Sequence, residues 1–192
     1  MKNILIINGH PNAASYNFAL AESYKNGALE AKANVETIVI ADLNFNPNLA
    51  YGYQKRIDLE PDLIEAWEKI KKADHLVWVH PVWWGGLPAI TKGFIDRLFL
   101  PGMAFQYREN SVWWDKLLKG KTARIITTLD QPSWYYYLFN SKPSVNQLKK
   151  AVLEFCGVKP VKVTYVGIVK NSDEKQREKW LHKIFQLGTQ LK

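Results

Sequence analysis

Residues 3–17 read Asn-Ile-Leu-Ile-Ile-Asn-Gly-His-Pro-Asn-Ala-Ala-Ser-Tyr-Asn. The unbroken, β-rich apolar run at residues 4–7 stops at Gly9, which is typical of a short strand buried on both faces of a parallel sheet. From Ser15, the predicted N-cap, apolar residues recur at helical spacing. These residues are Phe18, Ala21, Tyr24 and Ala28. The segment therefore predicts a strand, a loop and a helix over residues 3–31.

The same alternation continues along the chain. Further buried strands are predicted at residues 35–41, 75–80, 122–128 and 161–168. Helices are predicted from Pro61, after Pro88, at 143–155 and at 173–191. Five strands alternating with five helices, without a repeat or linker, predict one α/β domain spanning 1–192. We expect a flavodoxin-like, doubly wound parallel sheet of order 2-1-3-4-5 with helices on both faces.

Composition narrows the class of protein. The 192 residues are 47% hydrophobic and 23% charged, which excludes a disordered or fibrous chain. The longest apolar runs are strand-sized and the N-terminal one is too short for a secretory signal, so we predict a cytoplasmic protein. The single cysteine, Cys156, cannot form an intrachain disulfide, a CxxC pair or a zinc cluster. No metal site is expected.

The net charge of +8 indicates a polyanionic partner. Nucleic acid, anionic lipid and a phosphorylated cofactor all qualify on charge alone. Lys and Arg residues are scattered along the chain and form no basic stripe, so a nucleic-acid partner is not expected.

The topology predicts where function lies. Ligands of such sheets bind beyond the carboxyl ends of the strands, at the point where the strand order reverses. The loops after strands one, three and four should therefore carry the chemistry. These loops are residues 9–17, 81–87 and 128–142.

The first loop runs directly into a helix N-terminus, where free N–H groups and the helix dipole favour a phosphate. Ser15, Asn17 and His10 can add donors. The loop matches neither GxGxxG nor GxxxxGK[ST], so it carries no standard dinucleotide or P-loop fingerprint. A small phosphate cup is one interpretation. A simple Ser15 cap beside a solvent-facing His10 is the other.

The second loop reads Pro-Val-Trp-Trp-Gly-Gly-Leu-Pro over residues 81–88. Adjacent side chains of an extended chain point apart, so Trp83 and Trp84 cannot share one core layer. One indole can flank a planar ring while nearby backbone amides bond to the edge of that ring, as a flavin requires. The alternative is that both indoles cover the helix that follows.

The second loop continues into a segment that carries a resemblance. Residues 81–97 read PVWWGGLPAITKGFIDR, and residues 102–107 read GMAFQY. Together with residues 4–17, they resemble the NAD(P)H:quinone oxidoreductase family, in particular bacterial NADPH-quinone reductases and the ancillary proteins of potassium efflux systems. The resemblance covers nearly the whole chain, and residues 81–97 are its most specific part.

The resemblance implies a flavoprotein enzyme and a homodimer. It implies FMN or FAD as cofactor, with FMN slightly favoured, and NADPH or NADH as electron donor. It implies hydride transfer through the flavin to a small quinone-like acceptor by a ping-pong mechanism. The flavin phosphate is assigned to His10, Ser15, Tyr16 and Asn17. The flavin ring is assigned to Pro81, Val82, Trp83, Trp84, Gly85, Thr127 and Thr128. The substrate pocket is assigned to Phe105, Tyr107 and Trp134, and the catalytic hydroxyls to Tyr135 and Tyr107.

One segment departs from the family pattern. Many members have two glycines after the threonine pair, where this chain has Leu129 and Asp130. Tyr135 falls at the family's tyrosine position, but Ser141 stands where the family has a histidine. Tyr135, Tyr136 or Asp130 are candidates for the missing proton donor, and a lid over an altered pocket is the alternative.

Three other functions fit the same sheet. An acidic flavodoxin-type electron carrier is disfavoured by the positive charge and by the long loop at residues 101–120. A flavin- and nucleotide-binding regulatory subunit of a transport system, with a membrane-protein partner and little turnover, is favoured by the Leu129-Asp130 departure. A flavin-free relic of the fold would use Trp83 and Trp84 only to fill the cleft.

Overall fold

The computed structural model describes residues 1–191, and its main sheet has five parallel strands. The strands of the chain are β1 Asn3–Asn8, β2 Asn34–Val39, β3 His75–Pro81, β4 Phe105–Tyr107, β5 Trp114–Lys116, β6 Thr122–Leu129 and β7 Val161–Gly167. The main sheet has the order β2-β1-β3-β6-β7, and β4 and β5 form a separate antiparallel hairpin. Without that hairpin, the order is the predicted 2-1-3-4-5. The predicted α/β class and five-stranded parallel sheet are confirmed.

The described residues contain six α-helices. They are α1 Tyr16–Glu30, α2 Pro61–Lys72, α3 Ala89–Leu98, α4 Ser133–Leu138, α5 Pro143–Asn146 and α6 Glu174–Thr189. A 3-10 turn follows β2 at Ile40–Asp42, and α5 continues as a π-helix over Gln147–Glu154. The prediction of one regular helix at 143–155 therefore gave the right segment but missed the wider π-helical turns.

The core lies on both faces of the sheet because side chains alternate along each strand. Leu5 and Ile7 of β1 belong to one buried cluster, which also contains residues of α2, α3 and the π-helix. Ile4 and Ile6 belong to a second cluster with residues of α1 and α6. The unbroken apolar run that predicted a strand buried on both sides thus serves two separate cores.

The backbones of α1 and α6 meet at two glycines. A Cβ atom on Gly27 would lie 2.1 Å from the Phe185 carbonyl oxygen, and one on Gly188 would lie 2.2 Å from the Tyr24 carbonyl oxygen. Only hydrogen fits at either position. This close contact lets the two helices cover one face of the sheet together.

A buried arginine fixes the long segment between β2 and α2. The Arg97 side chain is only 1% exposed, and its two terminal nitrogens donate to the two Glu60 carboxylate oxygens at 3.0 and 2.8 Å. Arg97 Nη2 also donates to the Asp58 carbonyl oxygen at 3.0 Å. Burial alone would raise the pKa of Glu60, but hydrogen bonds from the Asn46 N–H and from Arg97 hold that pKa below its usual value. The ion pair therefore attaches this segment to α3.

Replacing Gly27 by alanine tests the contact between α1 and α6. We expect Gly27→Ala to lower the free energy of unfolding by at least about 2 kcal/mol, because backbone rather than a flexible side chain must move. Asn26→Ala is the matched control, since residue 26 is exposed on the same helix and alanine favours helix there. Urea denaturation of both variants is the measurement. Equal stability of the two variants would show that the helices are not in backbone contact.

Candidate active site

The three loops that sequence analysis singled out converge beyond the carboxyl ends of β1, β3 and β6. Gly9 N donates to the Val79 carbonyl oxygen at 2.8 Å, and Val82 N donates to the Thr128 carbonyl oxygen at 2.9 Å. Asn17 Nδ2 donates to Thr128 Oγ1 at 3.1 Å. These contacts join the first, second and third loops into one edge.

The first loop is shaped by its own side chains. His10 N donates to Asn8 Oδ1 at 3.0 Å, and Asn12 N donates to His10 Nδ1 at 3.0 Å. Burial lowers the pKa of His10, and the hydrogen bond from Asn12 only partly offsets that effect. Because Nδ1 accepts a hydrogen bond, the proton of the neutral ring sits on Nε2. His10 therefore offers one N–H donor beyond the loop.

The loop ends at the N-terminus of α1, as the phosphate-cup interpretation requires. Ser15 is the N-cap residue, yet its side chain makes no capping bond. Ser15 Oγ is buried and has no partner within the described residues. Buried hydroxyls are rarely left unbonded, and free N–H groups of a first helical turn attract anions. The site fits a phosphate group.

Tyr16 and Asn17 use their side chains elsewhere. The Tyr16 hydroxyl donates to the Arg177 carbonyl oxygen at 2.6 Å, and burial raises the pKa of Tyr16 to about 12. The buried Asn17 amide bonds to Thr128. Of the four residues assigned to the phosphate, His10 and Ser15 can offer side chains, whereas Tyr16 and Asn17 can offer only main-chain N–H groups.

The second loop is a tight two-residue turn. Trp83 N donates to the Gly86 carbonyl oxygen at 3.1 Å, and Gly86 N donates to the Trp83 carbonyl oxygen at 2.9 Å. Trp84 has a φ of 51° and Gly85 a φ of 77°, which are the two positive values of a type I′ turn. Tryptophan rarely adopts such a φ. None of the hydrogen bonds among residues 1–191 uses the N–H groups of Trp84 and Gly85, so a ligand can take them.

The two indoles take different places. Trp83 is 44% exposed and lies edge-to-face against the His10 ring, with centroids 5.5 Å apart. Trp84 is 106% exposed, so none of residues 1–191 covers it. The interpretation in which both indoles cover α3 is wrong.

A side chain of the third loop stabilises the turn in the second loop. The buried Tyr136 hydroxyl donates to the Gly85 carbonyl oxygen at 3.2 Å and accepts from Ser144 N at 3.1 Å. Ser144 N also approaches the Gly85 carbonyl oxygen at 3.0 Å. Sequence analysis left Tyr136 as one of three candidate proton donors. Its hydroxyl is instead engaged in positioning Gly85.

An open cavity of about 610 Å³ lies between the second and third loops, within the size range of ligand sites. Its lining residues are Val82, Trp84, Gly85, Leu129, Asp130, Gln131, Asn140 and Pro143. The Leu129 side chain is buried in a small cluster with Tyr136 and Val145. Leu129 therefore borders the cavity without filling it.

The predicted threonine pair lies near the end of β6, directly before Leu129, which lines this cavity. Thr128 is held by Asn17, whereas the buried Thr127 Oγ1 has no hydrogen-bond partner within the described residues. Pro81 lies opposite this pair, because Pro81 and Thr128 are partners in the register of β3 and β6.

Within one chain, the structure does not bring the predicted substrate residues together. Phe105 and Tyr107 line a second cavity of about 590 Å³ beside α3 and the π-helix, and Phe105 packs against Phe155 with ring centroids 4.9 Å apart. Trp134 and Tyr135 are exposed on α4. The hairpin and α4 lie in segments predicted as loops, because three-residue strands and a six-residue helix carry too little periodicity to be recognised.

His80 is a site residue that sequence analysis missed. It lies on β3 directly before the second loop, and its Nδ1 lies 3.0 Å from the Pro81 carbonyl oxygen. Complete burial lowers the pKa of His80 to about 4, despite that hydrogen bond. Burial similarly lowers the pKa of His75 to about 3. A histidine inside a buried strand was the available signal.

No group of three His, Cys, Asp or Glu side chains in residues 1–191 is arranged to hold a metal ion. Over the same residues, every helix is too short or too polar to cross a bilayer.

Comparison with known proteins places the chain in a family. Residues 2–187 match the family described as having a flavodoxin-like fold. The chain belongs to this family. It is 30% identical over 182 residues to an uncharacterized NAD(P)H oxidoreductase of Haemophilus influenzae, which covers 92% of this chain and 89% of that protein. The resemblance read from residues 81–97 is confirmed.

Two further relatives support this placement of the flavodoxin-like chain. The crystal structure of Smu.1420 from Streptococcus mutans UA159 superposes with a TM-score of 0.87 at 33% identity, covering 98% of this chain and 99% of that chain. The rat NAD(P)H dehydrogenase [quinone] 1 is 28% identical over 187 residues, covering 82% of this chain and 65% of that protein.

The buried histidines predict a pH dependence of stability. Between pH 6.5 and 5, His75 and His80 bind protons in the unfolded chain but stay neutral in the folded one. The free energy of unfolding should therefore decrease as the pH is lowered, by up to about 1.4 kcal/mol per pH unit for each histidine. His80→Gln should remove about half of this slope, and His182→Gln, at an exposed position, should leave it unchanged. Urea unfolding at several pH values is the measurement. An unaltered slope in His80→Gln would contradict the burial of a neutral imidazole.

Removing the Tyr136 hydroxyl should loosen the second loop. We expect Tyr136→Phe to lower the free energy of unfolding by about 1–2 kcal/mol, because Gly85 and Ser144 lose a buried partner. Tyr137→Phe is the control, since that tyrosine is exposed and none of the described hydrogen bonds uses its hydroxyl. Thermal and urea unfolding of both variants decide the matter, and indistinguishable curves would refute the positioning role of Tyr136.

Proposed function

We propose that the chain is a flavin-dependent NAD(P)H oxidoreductase that passes a hydride from NADPH or NADH to a quinone-like acceptor. One observation carries this proposal. A buried, unpartnered Ser15 hydroxyl at a helix N-terminus shares the sheet edge with an open cavity beside the exposed Trp84 indole. An anion-binding end and a ring-binding end are what a flavin phosphate with its ring requires.

At the phosphate end, Ser15 Oγ and His10 Nε2–H would donate to phosphate oxygens. The main-chain N–H groups of Tyr16 and Asn17 would add to these donors at the start of α1. The pKa of His10 lies below its usual value, so we assign this residue a neutral donor role. FMN is slightly favoured over FAD by the family resemblance.

At the ring end, the Trp84 indole would lie against one surface of the flavin, with Pro81, Val82 and Trp83 in the same loop. The free N–H groups of Trp84 and Gly85 would bond to polar atoms of the ring edge. Thr127 and Thr128 would border it from β6. Tyr136 holds Gly85 in place for this task.

A bound flavin supplies the capacity to accept and release a hydride. The chain's part is to bind, orient and shield. Since the donor and the acceptor would use the same cavity in turn, we propose ping-pong kinetics. The net charge of +8 would draw the anionic dinucleotide toward the protein.

The proton for the reduced acceptor is assigned to tyrosine hydroxyls. Tyr135 is half-exposed on α4 and stacks on Phe139, with ring centroids 5.1 Å apart. None of the described hydrogen bonds engages the Tyr135 hydroxyl. It can therefore donate to a developing hydroquinone oxygen, which Tyr136 is not free to do.

We further propose a cytoplasmic homodimer in which each chain is one domain. Phe105 and Tyr107 line a different cavity from Trp84. In the family arrangement, a partner subunit supplies such aromatic residues across the interface. A dimer would thus let Tyr107 and Phe105 join Trp134 in one substrate pocket.

A regulatory subunit of a transport system is the second candidate function. It is favoured by Asp130 at the cavity and by Ser141 at the position of the family's histidine, because these residues depart from the family pattern where a proton donor for rapid turnover is expected. Such a protein would bind a flavin and a nucleotide, and also a membrane-protein partner.

The first test is absorption spectroscopy of protein loaded with FMN or FAD, followed by anaerobic NADPH and then a quinone. We expect flavin bands that stay with the protein, bleach with NADPH and return with the quinone. Trp84→Asn should weaken flavin binding by about tenfold or more, because it removes the ring contact while asparagine tolerates the positive φ. Ser15→Ala should weaken binding of FMN more than that of riboflavin, which lacks the phosphate.

Trp113→Asn serves as the control, since Trp113 is exposed on the hairpin loop away from the cavity. Light scattering of the loaded protein reports the dimer. A bound flavin that NADPH does not reduce would refute the enzyme and favour the regulatory subunit. Absence of binding of either flavin would refute both functions.

A further inference from the structure

The cavity beside Trp84 has a charge opposite to that of the chain. The protein carries a net charge of +8, yet the one charged side chain among the lining residues is Asp130. The other lining residues are apolar or carry neutral polar groups, such as Gln131 and Asn140. A ligand in this cavity therefore meets a local negative charge within a positive molecule.

The carboxylate of Asp130 is held by a hydrogen bond to the neighbouring main chain. Its Oδ1 accepts a hydrogen bond from Lys170 N at 2.8 Å, and the adjoining Leu129 carbonyl oxygen accepts one from Val169 N at 2.9 Å. Both bonds tie the loop after β6 to the segment that follows β7. The buried Leu129 side chain holds the same loop from below.

No cation cancels this charge within the described residues. None of the ion pairs involves Asp130. Lys170 meets Asp130 through its main-chain N–H, and the Lys142 ammonium lies 3.6 Å from the centre of the Tyr137 ring. The Asp130 carboxylate is therefore left without an ion pair among the described residues.

We propose that Asp130 sets the substrate class of this site, selecting neutral or cationic ring acceptors over anionic ones. The inference rests on the proposed function, since it concerns the acceptor of that reaction. A carboxylate close to the reacting ring repels a sulfonated or carboxylated quinone and attracts one that carries an ammonium group. Asp130 acts as a specificity determinant and takes no part in hydride transfer.

The test compares three naphthoquinones of similar size: neutral menadione, anionic 1,4-naphthoquinone-2-sulfonate, and a naphthoquinone with a trimethylammonium substituent. Their dissociation constants are measured by calorimetry on the oxidised, flavin-loaded protein, alongside kcat/KM. Asp130→Asn should strengthen binding of the sulfonate by about five- to tenfold and weaken binding of the cation by a similar factor. The dissociation constant of menadione should change by less than about twofold. High salt should reduce the differences in affinity among the three quinones.

Glu109→Gln is the matched control, because it removes the same charge from an exposed residue that does not line the cavity. It should leave all three dissociation constants nearly unchanged. Gln131→Lys is the second variant, because it places a positive charge beside Asp130 while leaving the Asp130 bond to Lys170 intact. It should change the three dissociation constants in the same directions as Asp130→Asn does. Equal shifts for the three quinones, or the same shift in Glu109→Gln, would overturn the inference.

The two proposals fail in different ways. Charge-dependent binding that persists in protein that NADPH cannot reduce would refute the proposed reaction and leave the role of Asp130 standing. Normal reduction by NADPH and reoxidation by quinones, without discrimination by charge, would support the proposed reaction and refute the role of Asp130.

Discussion

Parallel pairing of β1, β3 and β6 is the constraint on which the rest of the structure depends. It brings three carboxyl ends to one edge, so three loops far apart in sequence meet there. The loops are then fixed by few bonds: Gly9 to Val79, Val82 to Thr128, and Asn17 to Thr128. Shifting β3 by one residue would turn the side chain of His80, and that of Pro81, each to the face of the sheet opposite to its present one. These loop contacts would then be separated.

The side chains at this edge of the sheet fall into two groups, one that positions the loops and one that is available to a ligand. Asn8, His80 and Tyr136 are buried and bond to backbone groups, and the buried Asn17 bonds to the Thr128 side chain, so these side chains position the loops. Ser15, Trp84 and Asp130 face outward or lack a partner, so they are available to a ligand. The most exposed residue of the edge, Trp84, is also among the most constrained, because its turn is closed by two hydrogen bonds and held by Tyr136 through Gly85.

Much of this arrangement could be predicted from the sequence, for identifiable reasons. Runs such as residues 4–7 and 76–79 are apolar on both faces, which is what a central parallel strand requires. Their alternation with helices predicted a parallel sheet, and the strand order came from the flavodoxin-like class assigned to that sheet. The hairpin β4–β5 and α4 could not be predicted, because each is held by tertiary contacts and not by local periodicity. The hydroxyls of Tyr135 and Tyr136 look alike in sequence. Only the packing of Leu129, Tyr136 and Val145 decides which one is buried.

The glycine contact between α1 and α6 joins one of the first elements to form during translation with the last helix described. Gly27 and Gly188 let these helices touch, and Lys2 Nζ bonds to the Leu191 carbonyl oxygen at 2.8 Å. One face of β1, β3 and β6 therefore lacks half of its cover until residues 174–189 have left the ribosome. A nascent chain exposes the apolar side chains of Ile6, Val79 and Ile126 throughout that interval.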